Sequence, residues 1–149
     1  ATYVRTVEIP EDVARAHTAI LDFGEGVPVE RKPLNQPGMR AWYDAPLRDA
    51  AVVYVNGKRA GSVWRPPYRI DIAPLLHGGA NELKIVVANT AINALAGRAP
   101  KDYTLLWAKY GKRFAPQDMD HLEPLTSGIL GHLRLIPGVA ASLPAEQRP

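Results

Sequence analysis

Two alternating apolar runs meet at Asn56-Gly57 in the stretch AVVYVNGKRAGSVW, residues 51–64. A two-residue loop between twisted antiparallel strands takes a primed turn, and type I′ demands positive φ at both central positions, which Asn-Gly supplies. The alternation sends Val53 and Val55 to one face, toward a core. Tight-turn chemistry accounts for both loop residues, so the pair reads as scaffold. A chain organised around such a hairpin folds as antiparallel β structure, and its activity must be sought elsewhere.

Fourteen prolines and 12 glycines divide the 149 residues into short pieces. Short runs between frequent turn signals predict an all-β sandwich or barrel. Residues 2–10 read as a first strand closed by Pro10, 11–16 as one helical turn or a loop, and 17–26 as a second strand. Residues 27–38 hold three prolines and read as a long surface loop, and 39–49 as an ambiguous segment with a short edge strand carrying Trp42 and Tyr43. After the hairpin come a turn at Arg65-Pro66-Pro67, a strand over 68–72, and a helical turn within 73–81 ended by Gly78-Gly79. Residues 81–89 predict a strand with Leu83, Ile85 and Val87 on one face. Because Val86 and Ala88 are also apolar, both of its faces are expected to be covered. Residues 90–97 predict a short helix with Thr90 or Asn89 as N-cap and Gly97 beyond its end. From Arg98 to Thr126 periodicity fails apart from the apolar run TLLWAKY, 104–110. Residues 127–137 return to strand character, with Ile129, Leu133 and Leu135 facing one way. The division is then one sandwich over 1–137 and a linker or frayed tail over 138–149.

Composition excludes several classes. Apolar residues at 46% and charged residues at 22% are ordinary globular usage, not that of a disordered chain. The net charge is +3, with the densest basic cluster at Lys109, Lys112 and Arg113. Without a concentrated basic stripe or a recognised module, nucleic acid is not an expected partner. There are no cysteines, hence no disulfide framework and no thiolate chemistry. No apolar run approaches the ~20 residues of a membrane span, so a membrane is not an expected partner either.

The order of signals over residues 51–135 is more specific than any one of them. It runs strand, "VNGK", strand with "G" and "W", "PPYRIDIAPLL", "GGANELKIVVANT" and, after a gap, "SGILGHLRL". This order resembles the jelly-roll, galactose-binding-like sugar-binding domain of family 2 glycoside hydrolases. "WRPPYRIDI", "ANTAINALAG" and "SGILGHLRL" resemble more particularly the C-terminal β-sandwich of family 106-like α-L-rhamnosidases. The resemblance implies a monomeric, non-catalytic accessory domain of a secreted or periplasmic bacterial polysaccharide-degrading enzyme. Its partners would be the catalytic domain and plant cell-wall glycans, rhamnose-containing or pectic. The alternative is a purely structural domain that packs on the catalytic barrel and binds no sugar. The resemblance also implies a structural calcium ion, without assigning ligands, and no other cofactor.

Sugar rings present a C–H face that stacks on an aromatic plane, while their hydroxyls need polar partners. The residues that could serve are Trp42, Tyr43, Trp64, Arg65, Trp107 and Tyr110. In the resembled families the aromatics of "W…PPYR" largely pack the sandwich, which inclines Trp64 toward the core. Trp42 and Trp107, read as loop aromatics, therefore rank ahead of it. Asp71 reads as a cap or turn partner. Asp118, Asp120 and His121 form a "DMDH" stretch open to a metal reading or to a solvated acidic turn. No carboxylate pair sits in a familiar glycosidase pattern, Ser127-Gly128 lacks a nucleophile elbow, and His132 reads as a packed strand histidine.

Overall fold

A computed structural model of the chain describes residues 1–30, 43–99, 102–111 and 122–138. Strands β6 (Ala50–Val55) and β7 (Lys58–Val63) pair antiparallel with Val55 opposite Lys58. Asn56 and Gly57 are left as the two-residue turn, with φ of 51° and 76°, as type I′ geometry requires. One bulge interrupts the ladder. Val53 faces Gly61 while Tyr54 faces Arg59, so Ala60 is the extra residue.

The first sheet has the order β1 (Thr2–Ile9), β9 (Gly79–Ala88), β6, β7, and every pairing is antiparallel. The second has the order β11 (Arg134–Gly138), β2 (Thr18–Asp22), β8 (Arg69–Asp71). Two short pairs flank them, β3 (Val27–Pro28) with β4 (Tyr43–Asp44), and β5 (Leu47–Arg48) with β10 (Gly128–Ile129). The protein is an all-β sandwich with short helices at its loops. Val53, Val55 and Ile85 from the first sheet meet Leu21 of the second, and Phe23 just beyond β2, in the core. Each such buried side chain contributes about 1.5–3 kcal/mol.

Three expectations change. First, only one face of β9 is covered: Ile85 and Val87 are buried, Val86 is half-buried and Ala88 is exposed. The second sheet lies on one side only, and on the other the Lys84 ammonium sits 5.7 Å from the centre of the Tyr54 ring. Second, residues 127–137 are not one strand. The N–H groups of Leu130 and Gly131 both donate to the Pro46 carbonyl (2.8 and 2.9 Å), and at Gly131 a Cβ would run into the Phe23 backbone. The break separates β10 from β11, leaves His132 and Leu133 exposed between them, and lets only Ile129 and Leu135 pack on the core. Third, TLLWAKY is a helix, α3 (Thr104–Tyr110), following α1 (Glu11–Ala14) and α2 (Ala91–Ala96). Asp102 Oδ1 accepts from the Thr104 N–H (2.9 Å) and hydroxyl (2.5 Å), which satisfies a first-turn donor and holds the carboxyl below its usual range. Gly111, at φ 72°, closes the helix by donating to the Trp107 carbonyl. In α2 the predicted cap forms, with the Asn93 N–H donating to Thr90 Oγ1 at 3.3 Å.

Asn56 does more than turn the chain. Its Nδ2 donates to the Leu75 carbonyl (3.1 Å) and to Asn81 Oδ1 (2.8 Å), and its Oδ1 accepts from the Glu82 N–H (2.9 Å). Asn81 is 2% exposed and fully bonded. Its Nδ2 donates to the carbonyls of His77 and Gly79, and its Oδ1 also accepts from the His77 N–H. The two amides tie the hairpin tip to the corner where a 3₁₀ turn (Ala73–Leu75) leads into β9. Asn56→Gly keeps the turn's backbone freedom and removes the amide, which should cost about 1–3 kcal/mol through the unsatisfied groups it leaves. Asn56→Ala with Gly57→Val should cost a further ~1–2 kcal/mol, because a β-branched residue disfavours positive φ. Thermal melts of both variants check this, and an Asn56→Gly protein that melts with the parent would reduce Asn56 to a turn residue.

Candidate functional site

The turn at Asn56-Gly57 marks one end of the sandwich, and the loop after Val63 leaves from the other. Val63 lies opposite Ala51 and Ala50 opposite Ala88, so β6 begins, β7 ends and β9 exits into α2 at this second end. Residues 64–68 cross here from the first sheet to the second. Val63 is buried, so strand alternation turns Trp64 outward, and its side chain is 63% exposed. The inclination of Trp64 toward the core is thus corrected, while Tyr68 of the same motif does pack on the core. The Arg65 guanidinium lies 5.6 Å from the centre of the Trp64 ring, within cation–π range. Pro66 and Pro67 fix φ in the loop. The Arg69 N–H donates to the Pro67 carbonyl (2.8 Å), and the Phe23 N–H to the Tyr68 carbonyl (3.0 Å). Trp64 and Arg65 therefore project from a backbone held from both sides.

The other expected site residues do not gather on that platform. Trp42 lies outside the described residues, as do Lys112, Arg113 and the Asp118, Asp120 and His121 stretch. Tyr43 is exposed in β4, and its ring lies where a Cβ on Gly26 would fall. Trp107 sits on α3, not on a loop, and stacks on Tyr103 with ring centres 6.1 Å apart. The Lys109 ammonium is 5.1 Å from the centre of the Tyr110 ring. Among the described residues no ring contact joins Tyr43, Trp64 and Trp107 to one another. Sequence reasoning missed Tyr103, which an i, i+4 aromatic spacing with Trp107 could have revealed. It also missed Asn93, whose side chain donates to the Leu125 carbonyl (2.8 Å) and accepts from the Leu125 N–H (2.6 Å). No local signal marks that long-range clasp.

Beneath the Trp64 loop lies a buried charge. Asp22 Oδ1 accepts from the Gly24 N–H (2.8 Å), and Oδ2 pairs with Arg69 Nε (3.1 Å) and Arg134 Nη2 (3.7 Å). The Gly24 N–H, together with both arginines, holds this carboxyl below its ordinary value against the opposing effect of burial. Asp71 is also held low, by the N–H groups of Ala19 (2.9 Å) and Ala73 (3.0 Å), in the turn role its sequence position predicts. Among the described residues no three His, Asp or Glu side chains converge. Asp22 already directs both oxygens at N–H donors, so it is not placed to ligate the calcium ion implied by the resemblance.

The fold defines a class, an antiparallel β-sandwich that carries Trp64 and Arg65 on an end loop. Comparison with known proteins finds chains similar to it as parts of glycoside hydrolases. The chain is similar to part of a rhamnosidase from Novosphingobium sp. PP1Y, with 25% identity, a TM-score of 0.55, and 90% of this chain matched to 10% of that one. A β-D-mannosidase from Dictyoglomus thermophilum aligns at 18% identity and TM-score 0.45, over 91% of this chain and 15% of that one. A β-glucuronidase from Bifidobacterium dentium aligns at 21% and 0.48, over 90% and 20%. A curated putative β-glucuronidase from Formosa agariphila is 36% identical over 55 residues, which are 36% of this chain and 5% of that protein. No protein-family model matches. The chain thus spans a small part of each protein it resembles.

The lowered carboxyls set the acid dependence of the fold. A group with depressed folded pKa stabilises fully above its unfolded value and loses that contribution as pH falls through the folded one. Stability from Asp22 and Asp71 should hold above about pH 5 and drop below about pH 4, given unfolded aspartate near 3.9. Asp22→Asn should lose about 1.5–3 kcal/mol at pH 7 with its charged hydrogen bonds. Its stability should also fall less steeply in acid. Urea melts at pH 7, 5, 4 and 3 test this, and an unchanged acid slope would remove Asp22 from the account.

Proposed function

We propose that this chain is a non-catalytic accessory domain of an exported polysaccharide-degrading glycoside hydrolase, and that it binds carbohydrate at its loop end. The observation that carries this reading is the Trp64 indole, 63% exposed on a loop held by two prolines and two backbone hydrogen bonds. An apolar plane presented at a rigid rim is what the C–H face of a pyranose stacks on, and preorganisation lowers the entropy lost on binding. Arg65 supplies donors for oxygen atoms at the edge of a stacked ring. Tyr43, Trp107 and Tyr110 are further exposed aromatic positions, which an extended chain could meet at separate points. The glycans inherited from the resemblance are those of plant cell walls, with rhamnose-containing or pectic chains among them. Reaction chemistry belongs on this reading to a separate catalytic domain.

One observation favours the second reading, a structural domain seated on a catalytic barrel. Helix α3 buries none of its residues, and Leu105 is 87% exposed beside exposed Leu106 and Trp107. A short helix that is apolar nearly all round normally lies against another surface. The readings separate by calorimetric titration with oligosaccharides chosen by a glycan array. On the carbohydrate reading, Trp64→Ala weakens binding by about 1–2 kcal/mol, as for a modest hot spot, while its melting temperature stays near the parent's. A folded Trp64→Ala variant that binds as the parent does would refute the platform, and an array without any bound glycan would leave the structural reading.

A further inference from the structure

The Trp64 loop carries a guanidinium whose charge no carboxylate among the described residues neutralises. Three arginines in this half of the molecule are committed to carboxylates: Arg69 and Arg134 to Asp22, and Arg48 to Asp44. Arg65 is exposed, its contact is the face of the Trp64 ring, and no described carboxylate pairs with it. A guanidinium on an indole is weakly hydrated, holds its charge at any physiological pH and presents its donors as a planar fork that matches a carboxylate. Its carbon lies over the indole face, 5.6 Å from the ring centre, so a flat ring that stacks on that face moves the guanidinium aside to its own edge. The geometry points to a uronate, a pyranose bearing a carboxylate at its edge, as the sugar recognised at Trp64. The indole takes the C–H face of the ring, and Arg65 takes the carboxylate. This assignment rests on the carbohydrate-binding reading and narrows it to acidic glycans.

The contrast with a neutral sugar follows from desolvation. Hydroxyls alone exchange water for a guanidinium with little net gain, whereas a carboxylate gains a charge-assisted, two-point contact. The preference should weaken with salt, because an exposed pair is screened. It should also depend on the fork and charge of Arg65, not on its stem, which also covers apolar surface.

The experiment uses trigalacturonate and its fully methyl-esterified form, which present the same rings with and without charge. Both are titrated calorimetrically into the parent chain, Arg65→Gln and Trp64→Ala, at 50 and 500 mM NaCl, with xylotriose and cellotriose as neutral controls. The acid form should bind the parent on the order of tenfold more tightly than the ester at low salt, the ratio for one added charged contact. That ratio should collapse at high salt and in Arg65→Gln, and Trp64→Ala should lose both ligands. Equal binding of acid and ester, or binding of the neutral trisaccharides alone, would overturn the uronate assignment and leave the carbohydrate reading standing. A charge preference surviving in Arg65→Gln would overturn the role of Arg65. Failure of all four ligands to bind the folded parent would overturn the uronate assignment, and the wider glycan array then decides the carbohydrate reading separately.

Discussion

The buried amide of Asn81 is the interaction on which the sandwich depends. A primary amide has two donors and an acceptor oxygen with two lone pairs, and removing it from water is tolerable only when these are met. Here His77 and Gly79 take the donors, while His77 and Asn56 fill the acceptor. One side chain thereby fixes the entry of β9, and through Asn56 it fixes the tip of the β6–β7 hairpin. Because β9 lies between β1 and β6, its position sets the register of both neighbours. A slip of one residue would turn Ile85 and Val87 out of the core, so the amide pair protects a pattern much larger than itself.

The opposite end is built on another principle. Asp22 gathers Arg69 and Arg134 beneath the loops, linking β2 to both strands beside it, while the prolines stiffen the passage between sheets. Exposed aromatic and cationic groups stand on this base without belonging to the core. Helix α3 differs in burying none of its residues while Asp102 and Gly111 supply local bonds at its two ends.

What the sequence made legible is what neighbours decide. Asn56-Gly57, the Thr90 cap and the turn from Asp71 to Ala73 are each decided within a few residues, and all three form. The all-β class followed from alternation and from the density of turn signals. The break after Ile129 was not legible, because its cause is the Pro46 carbonyl and the Phe23 backbone, far away in sequence. Asn81 fell where the helical turn within 73–81 meets the strand over 81–89, with nothing to mark it, since burial of its amide is a property of the assembled corner. Two misses were avoidable. Asp102 with Thr104 is a helix-start signal ahead of an apolar run, and the parity of Val63 already assigned Trp64 to the outside. Trp64 and Arg65 were named as candidates, but their isolation from Tyr43 and Trp107 could come only from three dimensions.

The passage over residues 64–68 is held by its main chain and by its prolines. The bonds at Pro67 and Tyr68 involve carbonyls and N–H groups alone, so the outward side chains have no duty toward the shape of the path. Positions 64 and 65 are therefore interchangeable sockets. A chain that keeps the two prolines and the inward Tyr68 would tolerate exchange of both outer residues without loss of its fold.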